Sequence, residues 1–185
     1  MKKLLLAALA ACAFIACDND DERIVISEEN PKDKEEGVVK FTSFQVNYTF
    51  SASDDVRDFY HFLIGYMDLT GQQHIDTLKG SEWTYAAAPL SLEEAPDTFV
   101  CIVRMERKDD VPELTKYAYT LSYEQNISVT LSNADGSEIR TFDAGPMTSW
   151  SWQASPSAWA AWLVLHTNAT LIDFRLGKSA FPSSK

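Results

Sequence analysis

Residues 98–107 read TFVCIVRMER, and this run decides the fold class. Phe99, Cys101, Val103 and Met105 share one parity; Val100, Ile102, Arg104 and Glu106 share the other. A period of two is the mark of a β-strand, whose successive side chains point to opposite faces. Asp109-Asp110-Val111-Pro112 closes the run with residues that favour turns.

The same period recurs on both sides of this stretch. In FTSFQVNYTF, residues 41–50, the apolar side chains Phe44, Val46, Tyr48 and Phe50 stand two apart. Asp54-Asp55 reads as a turn, and Phe59–Leu69 as a second apolar run. Thr70-Gly71-Gln72 breaks that run before a strand over His74–Leu78, a hairpin signal. Trp83–Tyr85 is a short strand and Pro89–Pro96 a loop. Lys116–Tyr123 places Tyr117, Tyr119, Leu121 and Tyr123 on one face. After Glu124-Gln125-Asn126 the alternation continues through Ile127, Val129 and Leu131, turns at Asn133–Ser137 and returns over Glu138–Phe142. One segment departs from the period. Ser155-Pro156 offers an N-cap with proline at the first helical position, ahead of the apolar run SAWAAWLVLH. That predicts one short helix near 156–166, followed by a last strand, ATLIDFRL, over 169–176.

These elements predict an all-β protein: an immunoglobulin-like antiparallel β-sandwich of 7–9 strands with one short helix, over residues 38–177. A small barrel is the alternative. Of the three cysteines, Cys101 lies at an apolar strand position and reads as buried and inert. The 45 % apolar and 12 % aromatic composition excludes a disordered chain. A net charge of −11 argues against nucleic acid as a partner, because phosphate binding needs a basic patch. The charge is uneven: residues 18–37 hold nine acidic and three basic residues, against 18 and 11 in 38–185. The first segment reads as an acidic, flexible tether over 17–37, and residues 178–185 as a frayed C-terminus.

The chain starts MKKLLLAALAACAFIAC. Lys2 and Lys3 precede an uncharged apolar stretch, Leu4–Ile15, too short for a bilayer core that needs about 20 helical residues. It has the length of a secretory h-region. Ending as it does in Ala16-Cys17, with Asp18-Asn19-Asp20-Asp21-Glu22 behind, it resembles the signal of a bacterial lipoprotein, with 1–16 as the signal peptide. The resemblance implies a lipid on the cysteine that becomes the new N-terminus. Leu9-Ala10-Ala11-Cys12 matches the lipobox letters more closely, whereas Cys17 uses the whole apolar run. H-region length favours Cys17. The acidic cluster resembles the export signal of Bacteroidetes lipoproteins. With the sandwich it makes the chain similar to small surface lipoproteins of that group. This implies a protein lipid-anchored in the outer membrane and facing the cell exterior.

The chemistry-bearing residues are sparse. His61 and His74 could meet across the hairpin at Gly71, with Asp68 or Asp76 as a third zinc ligand. No metal-ligand spacing frames them, so isolated strand histidines are the expectation and no metal or cofactor is assigned. Asn133–Glu138 gathers oxygen donors suited to calcium, but a hairpin turn accounts for it. No GxSxG or phosphate-binding glycine loop occurs, and no catalytic residue is assigned. Four of the five tryptophans lie between Trp150 and Trp162. Trp159 and Trp162, three apart, are expected to pack a helix against the sheet. Trp150 and Trp152, two apart, would share a face of a strand, and flat rings beside polar groups such as Gln153 suit stacking on sugars. The domain therefore reads as a non-enzymatic binding or adhesion module for a glycan or a cell-surface protein. The alternative is a carbohydrate-binding accessory to glycan uptake that uses Trp150, Trp152 and Gln153.

Overall fold

The structure, a computed structural model, describes residues 40–143 and 148–177. The expected signal peptide, the Cys17 anchor, the acidic tether and the C-terminus after 177 lie outside the described residues.

The chain forms β1 (Phe41–Ala52), α1 (Asp54–Phe59), β2 (Tyr60–Met67), β3 (Gln73–Thr77), β4 (Glu82–Ala86) and β5 (Leu90–Ser91). It continues through β6 (Thr98–Arg107), β7 (Tyr119–Asn133), β8 (Ile139–Asp143), β9 (Thr148–Ala154), α2 (Pro156–Leu165) and β10 (Asn168–Gly177). These strands make the expected all-β sandwich of two antiparallel sheets. One has the order β4-β1-β7-β8, with β5 on β1 and β9 on β7; the other runs β10-β6-β2-β3. Among the described residues the strands number ten rather than 7–9, because the two-residue β5 and the tryptophan-bearing β9 each pair with a longer neighbour.

The core follows parity. Phe44, Val46, Tyr48 and Phe50 of β1, and Phe99, Cys101, Val103 and Met105 of β6, are all buried. Glu124-Gln125-Asn126 does not interrupt β7, which runs unbroken for 15 residues. Gln125 keeps the inward parity of Leu121 and Ile127 and is only 3 % exposed. Burial pushes the Cys101 thiol up to about 11, and Gln125 acts against that rise.

Asp54-Asp55 opens not a bare turn but the six-residue helix α1. Two acidic residues in its first turn suit the positive end of the helix dipole. Ser53 is the N-cap residue, yet its hydroxyl serves β7 instead, donating to Thr120 O (2.8 Å) and accepting from Ser122 N (3.1 Å). Asp55 accepts from Thr120 N (2.6 Å) and pairs with Lys116. Val56 and Phe59 are thereby driven into the core. At the other helix, Ser155 caps α2 as its sequence implies, accepting from Ala158 N–H (3.4 Å) with Pro156 in the first turn. No helix among the described residues is long and apolar enough to cross a membrane.

Candidate functional site

β9 pairs with the first half of β7, setting Trp150 opposite Tyr123, Trp152 opposite Leu121 and Ala154 opposite Tyr119. Both tryptophans therefore share the inward parity of β7. Ser149, Ser151 and Gln153 have the other parity and sit opposite Glu124, Ser122 and Thr120. Gln153 Nε2 donates to Thr120 Oγ1 at 2.6 Å on that outer face. The structure thus brings Trp150 and Trp152 together and places Gln153 on the opposite side of the strand. The period of two that unites the rings is what separates them from the amide.

The two rings differ. Trp150 is 38 % exposed, while Trp152 is half-buried against the core. Their centroids are 6.3 Å apart with planes tilted by 38°, and Trp150 lies nearly flat on Tyr123 (5.7 Å, 26°). From Trp152 the contacts run inward to Trp159 (6.5 Å), which is 0 % exposed. Trp159 stacks on Tyr119 (5.6 Å, 2°) and on Trp162 (5.2 Å, 7°), and Trp162 stacks on His166 (4.2 Å). As expected, α2 is packed by Trp159 and Trp162. The outward member of the run is Trp150.

A second cluster lies on the inward-parity side of the β2–β3 hairpin. Tyr66 stacks on His74 (5.1 Å, 21°) and contacts Trp83 and Tyr85. Trp83 Nε1 donates to Asp76 Oδ2 (3.0 Å), and His74 Nε2 lies 2.7 Å from Asp68 Oδ2. The other Asp68 oxygen accepts from Thr70 Oγ1 (2.6 Å), Thr70 N (2.9 Å) and Gln72 N (2.9 Å). These bonds, the Thr70 hydroxyl foremost, hold the Asp68 carboxyl down at about 2. His61 is not part of this cluster. Its parity is that of Leu63 and Gly65, whereas His74 pairs with Tyr66, so the two histidines lie on opposite faces of the sheet. Asp68 and Asp76 are engaged by Thr70, Gln72, His74 and Trp83. Among the described residues no group of three His, Cys, Asp or Glu is placed to hold a metal ion. At Asn133–Glu138 the oxygens close a hairpin: Asp135 accepts from Ser137, Asn133 accepts from Glu138 N, and Gly136 has φ 71°.

The feature least expected is the outer face of the four-stranded sheet. An antiparallel sandwich normally turns polar side chains outward. Here Leu63 and Met67 of β2, Ile75 of β3, and Val100 and Ile102 of β6 line an open hollow of about 460 Å³, with Arg104 at its border. Gly65 forms the floor, since its register neighbours are Ile75 on one side and Ile102 on the other. A Cβ added at Gly65 would meet only ordinary contacts, Ile102 O at 3.9 Å and His74 O at 4.0 Å. The glycine leaves room above the sheet rather than relieving a clash. Ile75 is 75 % exposed. The sequence signal for this face was the apolar pair Val100 and Ile102 on the second parity of β6, facing the apolar run FLIGYM.

No family model, curated protein or solved structure matches this chain.

Proposed function

We propose that this chain is a lipoprotein anchored in the outer membrane through Cys17 and facing the cell exterior, and that its domain is a non-enzymatic module binding an apolar segment of another cell-surface protein. The observation that carries the binding reading is the apolar hollow over Gly65. A contiguous apolar patch on the outside of a sandwich is costly to leave in water and marks a contact surface. The apolar run ending in Ala16-Cys17 and the acidic stretch behind it support the surface placement. The test is a photo-crosslinking residue at Ile102 in the full-length protein on intact cells. It should give a discrete adduct with another surface protein. Gly65→Val should abolish that adduct while leaving the fold intact, because a Cβ at this position meets only ordinary contacts and valine favours a strand. Equal adducts in both proteins, or none in either, overturn the reading. Cys17→Ser should release the protein from membranes; retention would move the anchor to Cys12.

A second reading, glycan binding at the tryptophan strip, is favoured by one observation: Trp150 is exposed and backed by Tyr123. The surface it offers is one ring with its neighbour tilted behind it. A glycan array probed with wild type and Trp150→Ala decides it, since unchanged binding ends the reading.

A further inference from the structure

β3 is the outer strand of its sheet, and one edge of it has no strand partner. The β2–β3 ladder shows which backbone groups face that edge. Leu78 N–H donates to Phe62 O (3.0 Å) and Asp68 N–H to Gln72 O (2.9 Å). Both pairs are in phase with Ile64↔Asp76 and Tyr66↔His74, which are therefore the pairs exchanging hydrogen bonds with β2. The N–H and C=O groups of Gln73, Ile75 and Thr77 consequently point away from β2, and all three residues are exposed. Natural edges are commonly protected by lysine, proline, a bulge or charge. The opposite edge, β10, has a register shift between Thr170 and Ile172 and an Asp173–Arg175 pair. β3 reads QHIDT in regular register, with no lysine, arginine or proline, and its one carboxylate, Asp76, is turned to Trp83 on the inward-parity side.

The strand is also complementary to itself. Antiparallel pairing of two copies about a two-fold axis through Ile75 sets Ile75 against Ile75 of the second copy and Gln73 against Thr77. In that arrangement every outward N–H and C=O of Gln73, Ile75 and Thr77 meets a partner. His74 then lies opposite Asp76 of the second copy, in the closer, non-hydrogen-bonded type of pair. His74 uses Nε2 toward Asp68, leaving Nδ1, while Asp76 is already engaged by Trp83 and Tyr66. On the outer face the apolar row Ile102–Gly65–Ile75 continues directly into its copy. A one-residue slip would set His74 opposite Ile75 and break both matches.

We propose that β3 is a self-association edge: two copies of this chain pair antiparallel through Gln73–Thr77, joining their four-stranded sheets into one continuous sheet with a single two-fold apolar outer face. This is an isologous interface, in which one patch meets itself, made by strand addition. It rests on the geometry of β3 and not on the ligand of the hollow.

Single cysteines in the full-length, membrane-anchored chain test the register. Ile75→Cys sits on the axis, where Cα atoms of a hydrogen-bonded antiparallel pair lie about 5.5 Å apart, within disulfide reach. It should form a disulfide-linked dimer under mild oxidation. Gln73→Cys alone should not, while Gln73→Cys mixed with Thr77→Cys should. All three positions are exposed, so folding is not at risk, and continued protection of buried Cys101 from maleimide confirms it. Sedimentation of the detergent-solubilised full chain adds a cysteine-free readout. Wild type should sediment as a dimer and Ile75→Lys as a monomer. A monomeric wild type, or crosslinking at Gln73→Cys equal to that at Ile75→Cys, overturns the proposal.

Discussion

The two aromatic clusters of this sandwich are built from the same side chains and held by different forces. Around α2, Trp159 is stacked on Tyr119 and Trp162 and meets Phe59 edge-on, and its indole N–H has no hydrogen-bond partner. Along the β2–β3 hairpin, the rings of Trp83 and His74 are tied to the carboxylates of Asp76 and Asp68. The first cluster coheres mainly by ring contact, with Lys116 over the Tyr119 ring. The second adds charge-assisted hydrogen bonds at a half-exposed edge, so it should respond to acid where the first does not.

The largest effect is expected in the first cluster. Trp159→Ala removes a fully buried indole and leaves a cavity that the surrounding rings cannot fill. It should cost about 3–5 kcal/mol, as large-to-small changes in cores do, measured by urea unfolding. Because its ring contacts are aromatic, the loss should be the same at pH 3 and pH 7. A loss that shrinks on acidification would show that α2 also depends on a carboxylate, and the contrast between the clusters would fail.

Asp68→Asn should cost less, about 1–2 kcal/mol at neutral pH, the scale of hydrogen bonds to a charged acceptor. Its pH dependence follows from the lowered carboxyl. Folding depresses the Asp68 pKa from 3.8 to about 2. The ionised form is therefore the one the fold favours, and its contribution is complete above about pH 4 and lost as pH falls through 2. Wild type and variant stabilities should converge across that window. A constant difference down to pH 2 would show that Asp68 acts by shape alone.

The first cluster was largely legible in the sequence and the second was not. Ser155-Pro156 with Trp159 and Trp162 three apart announces a helix packed on one face, and the helix is there. The β2–β3 cluster depends on register. His61 and His74 flank the turn at Gly71, and sequence alone does not say which residue of β2 faces which of β3. Only the ladder, which pairs Tyr66 with His74, puts the histidines on opposite faces. The hollow over Gly65 escaped for a similar reason. Val100 and Ile102 stood plainly on the second parity of β6, but that the facing residue on β2 is glycine is a fact of pairing. At Glu124-Gln125-Asn126 the alternation read from the sequence does continue. Three polar residues stand in the middle of the segment, yet parity runs through them and a long neighbour, β1, pairs residue by residue along it. Gln153 was the one misgrouping that the sequence itself could have corrected, since an odd offset from Trp150 and Trp152 puts it on the other face of any strand.

The smallest effect belongs to Trp150, where the two clusters' lesson meets the question of function. Its ring lies on Tyr123 and beside Trp152, and an exposed aromatic pair adds only about 0.5–1.5 kcal/mol beyond its buried area. Trp150→Ala should therefore lower stability by less than Trp159→Ala does, because more than a third of the residue is already in water. It should remove the most red-shifted part of the tryptophan emission, because the remaining indoles are more buried. A loss as large as that of Trp159→Ala would make Trp150 a closing piece of the core, and the glycan reading would lose its ring. A small loss leaves a flat aromatic face standing in water at little cost to the fold, the condition a stacking site for a sugar requires.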